Sequence, residues 1–170
     1  MRRAVLAALL GMVVMSDQTQ GQSAADIARQ FVGTWRLVSW TQRLADGTSR
    51  PDPRNVGYII YTDAGYMCYS SMAADRPHWA SDNNPTGAEA VATMGVPFNA
   101  YCARVEVHAD EGFVLHHVEV DKSPNMIGRV RKRWFTFQGP DRVALRMDPS
   151  ELAPPVVEST LLWERLPARR

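Results

Sequence analysis

The chain has 170 residues, 45% of them hydrophobic and 22% charged, which is the composition of a single globular domain with one real core. Its 19 basic and 18 acidic side chains leave a formal net charge of +1, so no global field draws it to nucleic acid or to anionic lipid. Any partner must therefore be recognised by a local site.

The first segment of the chain has the layout of a secretory signal peptide. Arg2 and Arg3 precede an apolar run over residues 4–15, which is too short to span a bilayer. No second apolar run of spanning length follows it in the sequence. We therefore expect a protein that is exported, periplasmic or secreted, with no integral membrane segment in its mature form. An uncleaved N-terminal anchor is the alternative.

Small residues permit cleavage of this segment after Gly21 or after Ala25. Ser23 and Asp26 form an S-x-x-D capping pattern for a short helix through Phe31, and a cut after Ala25 would destroy that pattern. Cleavage after Gly21 is therefore favoured. The predicted division of the chain is a signal peptide, residues 1–21, and a barrel domain, residues 22–170.

Beyond this helix, apolar or alternating runs are separated by turn sequences such as Asp46-Gly47. Eight strands joined mostly by tight turns favour an all-β fold, an antiparallel meander that closes into a barrel without free edges. Such a barrel has an interior just large enough for one small ligand. The proline-rich segments 51–53 and 149–155 are predicted loops. The predicted strands cover residues 33–43, 55–62, 66–72, 100–108, 113–121, 128–138, 142–148 and 158–166.

One connection, residues 73–99, is far longer than a hairpin loop and must have structure of its own. Thr86 and Glu89 form a T-x-x-E capping box for a short helix through Met94. Two placements are open for this helix-bearing insertion. It could form a flap over one mouth of the barrel, or it could cross the closed end without a functional role.

Cys68 and Cys102 could form a disulfide bond in an oxidising compartment. Closing the loop of roughly 34 residues between them would stabilise the fold by about 3 to 4 kcal/mol. Two separately buried thiols are the alternative.

Because side chains alternate across a strand, each predicted strand can be divided into two faces. The inward set is apolar except for Tyr101, His116 and Arg133, and Tyr61 and Tyr69 can be added from earlier strands. The predicted outward set is polar. Inward residues are Tyr101, Ala103, Val105, Val107, Val114, His116, Val118, Val120, Arg133, Phe135 and Phe137; outward residues are Arg104, Glu106, His108, His117, Glu119, Asp121, Trp134 and Thr136.

This profile is typical of a ligand cavity, because small-molecule sites are lined mainly by apolar and aromatic side chains with a few placed polar groups. Buried tyrosine or histidine residues that bond to the backbone or to water are the structural alternative. The predicted ligand-binding residues are Tyr61, Tyr69, Tyr101, His116, Arg133 and Phe135.

Arg133 gives the sharpest argument, because an inward guanidinium costs several kcal/mol unless it meets a carboxylate, a π face or a ligand anion. A carboxylate or enolate ligand would suit it. A position near the rim, with the charge in water, is the alternative.

Other site chemistries find little support in the sequence. His117 and Glu119 share the predicted outer face while His116 points inward, so at most two metal ligands meet and no metal site is predicted. No nucleophile elbow, phosphate-binding glycine loop or CxxC pair is present, and no cofactor is expected. Arg131-Lys132-Arg133 alternates in facing, so a nucleic-acid patch is not expected.

The first and last predicted strands carry Gly33-Thr34-Trp35-Arg36-Leu37 and Leu162-Trp163-Glu164-Arg165. The first resembles the G-x-W start of lipocalins, and the second resembles the strand in which lipocalins place an arginine near that tryptophan. The resemblance implies that Gly33, Trp35, Trp163 and Arg165 close one end of the barrel, with Arg165 packed across the indole of Trp35.

An ordered series of residues resembles, more specifically, the bacterial and fungal lipocalin-like domain family, over about residues 30 to 166. The family implies an eight-stranded barrel of the calycin type with an internal pocket, and related barrels include carriers of hydrophobic molecules, isomerases and cyclases. The chain departs from the family at Ala103, where a glycine is expected, and at its two cysteines. The series is Gly57 to Met67, Tyr101 to Arg104, His116 to Glu119, Pro124, Asn125, Gly128, Arg133, Phe135 and Phe137.

Three functions follow from these features. The first is a protein that binds a small, mainly hydrophobic molecule bearing an acidic or carbonyl group inside the barrel. The second is a cofactor-independent isomerase, cyclase or lyase, with His116 as general acid or base and Tyr101 and Arg133 stabilising a developing enolate. The third, a protein-interaction module built on residues 73–99, is disfavoured because no large exposed apolar stripe is expected.

Overall fold

A computed structural model describes residues 23–51, 55–80, 84–94 and 97–168. The predicted signal peptide lies outside these residues, so cleavage and export stay predictions.

Strands dominate the described residues, as the alternating pattern predicts. One α-helix precedes the first strand, and a second α-helix and two single-turn 3-10 helices, Pro124–Met126 and Pro149–Glu151, lie between strands. None of the helices in this part of the chain is long and apolar enough to cross a membrane. In chain order, the elements are α1 Ala24–Phe31, β1 Gly33–Leu44, β2 Ser49–Pro51, β3 Asn55–Tyr61, β4 Tyr66–Ala73, α2 Gly87–Met94, β5 Phe98–His108, β6 Phe113–Asp121, β7 Val130–Phe137, β8 Arg142–Met147 and β9 Val156–Arg165.

The strands form one antiparallel sheet in which each barrel strand pairs with the next, and β1 also pairs with β9. This pairing closes an eight-stranded barrel, which confirms the predicted fold class. The short strand β2 is an addition, since it pairs only with the end of β1, where Thr41 lies opposite Pro51. Pro51, predicted as loop, thus ends an edge strand, where a missing backbone N–H is tolerated.

Helix α1 covers one end of the barrel. The predicted cap is present, because the Ser23 hydroxyl accepts a bond from the Asp26 N–H and the Asp26 carboxylate accepts one from the Ser23 N–H. Ile27 and Phe31 of α1 are buried, and Trp35 donates from its indole Nε1 to the Phe31 carbonyl oxygen at 2.8 Å. We call this the closed end.

Arg165 connects the elements that form the closed end. Its guanidinium lies over the Trp35 indole at 4.0 Å and donates to the carbonyl oxygens of Gln30 and Val32, at 2.6 and 2.5 Å. Gly33 has a φ of +138°, and a Cβ there would lie 2.7 Å from Arg165 Nη1. Only glycine lets the arginine approach this closely.

The insertion between β4 and β5 lies at the opposite, open end, since β4 runs away from the closed end and β5 returns to it. The insertion therefore does not cross the closed end, and its role as a flap over the mouth stays a prediction. Glu89 accepts bonds from the backbone N–H and the hydroxyl of Thr86, at 2.8 and 3.0 Å, so the predicted capping box holds α2.

Among the described residues the strand pairing has three register shifts, and two of them, both β-bulges, change which side chains line the interior. In β1, Leu37 lies opposite Trp163 and Ser39 opposite Leu162, so Val38 is an extra residue. A second extra residue, Glu119, lies in β6. Because a bulge shifts the alternation by one residue, side chains beyond it exchange faces.

Because of the bulge at Glu119, the last residues of β6 face the opposite way from the prediction. Val120, predicted inward, is 62% exposed. Asp121, predicted outward, lies opposite Tyr101, and its side chain is only 5% exposed.

The outer face of strands β3 to β6 is more apolar than predicted. Cys68 and Cys102 lie opposite each other there and are joined by a disulfide bond, in a row that continues into Ile60 and Val120. The expectation that the barrel exposes no apolar stripe is therefore wrong. The large exposed hydrophobic residues of these strands are Val56, Tyr58, Ile60, Tyr66, Met72 and Val120.

Candidate functional site

An internal cavity of about 170 Å³ lies between the middle of the barrel and its open end. Strands all around the barrel contribute to its wall, which combines apolar and aromatic side chains with a few polar ones. The lining residues are Trp40, Ile59, Tyr69, Asn99, Tyr101, His116, Arg131, Arg133, Leu145, Met147, Leu161 and Trp163.

His116 is fully buried and is held by two tyrosines. Its Nε2 lies 3.1 Å from the Tyr61 hydroxyl, and its Nδ1 lies 2.9 Å from the Tyr101 hydroxyl. Burial lowers the pKa of His116 well below its ordinary value, and the positive charges of Arg133 and Arg131 lower it further. The imidazole is therefore neutral near pH 7, with one nitrogen donating to a tyrosine and the other accepting from one.

The tyrosines of this cluster are also neutral. Burial raises the pKa of Tyr61 well above 10, and burial likewise raises the pKa of Tyr101 against the opposing effect of the arginines. Tyr69, which packs against Tyr101, has a pKa raised by burial, and its hydroxyl shares a 2.5 Å hydrogen bond with Ser71. The hydroxyl groups therefore serve as hydrogen-bonding groups and not as phenolates.

Arg133 meets a carboxylate of the chain itself. Its Nη1 and Nη2 bond to the two carboxylate oxygens of Glu151, at 2.5 and 3.0 Å, and Nη1 also donates to the Lys132 carbonyl oxygen. Glu151 ends the 3-10 helix Pro149–Glu151, which follows β8 at the open end. The buried charge that the sequence analysis singled out is thus neutralised by a fork-shaped ion pair.

Arg131, two residues earlier on the same face of β7, also meets a carboxylate of the chain, through a single bond. Its Nη2 lies 2.8 Å from an Asp121 carboxylate oxygen, and its guanidinium lies over the Tyr101 ring at 4.6 Å. The bulge at Glu119 places Asp121 on this side of the barrel. Both arginines of the cavity wall are therefore paired with carboxylates.

The predicted site residues fall into two groups. Tyr69, Tyr101, His116 and Arg133 line the cavity. Tyr61 reaches it only through His116, because its ring packs on Phe31 at 4.9 Å.

Phe135 and Trp163 lie at other levels along the barrel axis than predicted. Phe135, a predicted ligand contact, packs edge-on against Phe31 at the closed end, 5.4 Å between ring centroids. Trp163, assigned to barrel closure, lies opposite Leu37 and forms part of the cavity wall, where its ring meets Tyr69.

The sequence patterns did not predict several residues of the site. Trp40 lines the cavity only because of the bulge at Val38, and it donates to the Ser159 hydroxyl at 2.8 Å. Arg131 shares the face of Arg133, so alternation alone could have found it. Glu151 lies in a predicted loop, and no local pattern indicates its partner.

His117 lies on the outer face of the barrel, where it contacts a carboxylate and takes no part in the cavity. His117 Nε2 lies 2.8 Å from Glu106, whose other oxygen lies 2.8 Å from His108 Nε2. Within the described residues, no group of three or more His, Cys, Asp or Glu side chains could hold a metal ion.

Comparison with known proteins adds a family match. The family model of the lipocalin-like domain matches residues 32–166, which span the whole barrel from β1 to β9. Among solved structures, a de novo designed fluorescence-activating β-barrel matches with a TM-score of 0.41 and 15% identity, covering 83% of this chain and 98% of that chain. No curated protein matches the chain significantly.

Proposed function

The chain belongs to the lipocalin-like domain family, and from that premise we propose that it binds one small, mainly apolar molecule inside the barrel. The observation that carries the proposal is the internal cavity of about 170 Å³. A cavity of about 150 Å³ lined by apolar side chains is able to hold benzene, so this one suits a compound with a single ring. A long acyl chain would not fit without rearrangement.

The composition of the wall supports binding. Leu145, Leu161 and Ile59 supply apolar surface, whereas Tyr101 and Asn99 supply hydrogen-bonding groups that could orient a ligand. Trp40 and Met147 line the cavity on the side of the open end, where β1 and β8 end. A ligand could enter the cavity from this side.

The catalytic roles considered for His116, Tyr101 and Arg133 receive less support. Both nitrogens of His116 are engaged by tyrosine hydroxyls, and its side chain is 0% exposed. A general base must come within hydrogen-bond reach of the substrate proton. Arg133 is already bonded to Glu151, so it is a poor partner for a developing enolate.

Blocking the cavity tests the proposal. Acetophenone, toluene and benzoate are titrated into the protein by isothermal titration calorimetry. At least one of them should bind at a single site, and Met147→Trp, which places a larger side chain in the wall, should weaken that binding at least about tenfold.

Met72→Trp is the matched control, since Met72 faces outward on β4 near the same end of the barrel. It should leave the affinity unchanged. If none of the three compounds binds the folded protein, or if Met147→Trp binds as tightly as the unchanged chain, the proposed site is wrong.

A further inference from the structure

The charges around the cavity restrict the kind of ligand it can take. Within the described part of the chain, Arg131 and Arg133 are the charged residues among those that line it. Each is paired with one carboxylate, Asp121 for Arg131 and Glu151 for Arg133. The imidazole of His116 is neutral, so the wall and its partners carry two positive and two negative charges.

An anionic ligand would disturb this balance. To reach Arg133 it must displace Glu151, whose side chain is 19% exposed and which holds both outer nitrogens of the guanidinium. If Glu151 stays in place, the added anion leaves an uncompensated negative charge in a buried setting, which is costly. A neutral ligand incurs neither cost.

The cavity wall offers hydrogen-bond donors to a neutral ligand. Asn99 lies among the lining residues, and its side-chain amide carries two N–H donors beside one acceptor oxygen. A few placed polar groups of this kind fix the orientation of a ligand in a mainly apolar site. A ligand that brings an acceptor oxygen would suit this wall.

We propose that the cavity selects neutral ring compounds bearing a hydrogen-bond acceptor such as a carbonyl group, and that Glu151 and Asp121 act as built-in counterions that exclude carboxylates. This inference rests on the proposed binding function and names the ligand class for the same site. It replaces the acidic ligand that an unpaired Arg133 would favour. Glu151 is a specificity residue in this account, because it occupies the place that a ligand carboxylate would take.

The test compares compounds of similar shape and different charge at pH 7. Acetophenone carries a neutral acceptor, toluene carries none, and benzoate is an anion. Acetophenone should bind at least about tenfold tighter than benzoate, because truncating or unbalancing a buried charge pair changes affinity by that much or more. It should also bind tighter than toluene.

Removing the counterion should narrow the difference in affinity between acetophenone and benzoate. Glu151→Gln leaves Arg133 with an uncompensated charge, so benzoate should bind at least about tenfold tighter than to the unchanged chain, while acetophenone changes less than about threefold. Asp121→Asn should act in the same direction through Arg131. Glu158→Gln is the matched control, since Glu158 is exposed and pairs with Arg43 on the outside.

The results distinguish failure of the ligand-class inference from failure of the binding function. A preference of the unchanged chain for benzoate would overturn the inference and leave the binding function standing, and this arm needs no variant to fold. Unchanged benzoate affinity in both folded carboxylate variants would overturn it as well. Absence of binding by all three compounds would overturn the binding function, and the inference with it.

Discussion

Arg133 illustrates what a single buried residue can and cannot predict. Burial of a guanidinium requires a counter-charge, a π face or a ligand, and this requirement follows from the strand pattern alone. The partner is Glu151, 18 residues further along the chain. Glu151 reaches Arg133 because the segment after β8 lies at the open end of the barrel. No periodicity in the sequence indicates this contact.

His116 makes the stability of the protein depend on pH. Burial lowers its pKa in the folded state well below the ordinary value of 6.5, whereas in the unfolded chain it titrates near 6.5. Below that pH the unfolded state binds a proton that the folded state does not. The free energy of unfolding should therefore fall as the pH drops below about 6.5, by up to about 1.4 kcal/mol per pH unit.

His116→Gln should flatten this dependence, because an amide keeps a donor and an acceptor but does not titrate. We expect the variant to be less stable than the unchanged chain at pH 7.5, with the difference narrowing toward pH 5. Urea unfolding followed by fluorescence at several pH values measures it. The exposed His78 provides the control, since His78→Gln should keep the slope of the unchanged chain. Equal slopes in the His116 variant and the unchanged chain would refute a neutral, buried imidazole.

At the scale of the elements, the bulges decide the composition of the site. Regular alternation puts Asp121 outside with Glu119, and it puts Trp40 on the face of Val38. One extra residue in each strand reverses both placements. A bulge has no sequence pattern of its own, because it arises where paired strands must bend to close a barrel. The eight barrel strands were predictable to within two residues at each end, whereas the short edge strand β2 was not predicted.

Helix α1 depends on the last strand for its position. Arg165 stacks on Trp35 and donates to the carbonyl oxygens of Gln30 and Val32, so one side chain joins β1, β9 and the end of α1. Lysine cannot reproduce the planar fork that makes these contacts together. The lipocalin resemblance implied the contact with the tryptophan, but it did not indicate the bonds to α1.

Arg165→Lys should therefore loosen the closed end. We expect a loss of about 1 to 3 kcal/mol in the free energy of unfolding, together with faster hydrogen exchange in α1 than in the barrel strands. Chemical denaturation and amide exchange by mass spectrometry measure the two effects. Arg142→Lys, at an exposed position that pairs with Glu164, is the control and should change neither. Unchanged protection of α1 would contradict this role of Arg165.

At the scale of the whole molecule, the disulfide bond joins two strands that the sheet already pairs. Cys68 and Cys102 lie 34 positions apart in the sequence, and the insertion at the open end lies between them. Loop-entropy arithmetic gives about 3 to 4 kcal/mol for a link of this length. Residual pairing of β4 and β5 in the unfolded ensemble would reduce that figure.

The double substitution Cys68→Ser with Cys102→Ser should lower the free energy of unfolding by about 2 to 4 kcal/mol. Reduction of the unchanged chain with dithiothreitol should produce a loss of the same size, and the reductant should leave the double variant unaffected. Urea unfolding with and without reductant measures both. A double variant as stable as the oxidised chain would show that the link adds nothing to the fold.

The sequence by itself determined the barrel, its eight strands and the two capped helices, and its resemblance to lipocalins implied the contact between Trp35 and Arg165. The strands and helices depend on local alternation, turn chemistry and capping, which act between residues close along the chain. The tertiary structure alone decided that Trp40 and Asp121 face inward, that Glu151 neutralises Arg133, and that Phe135 belongs to the closed end. These outcomes depend on strand bending and on contacts between distant segments, because charge compensation and barrel closure are satisfied in space and leave no periodic trace in the sequence.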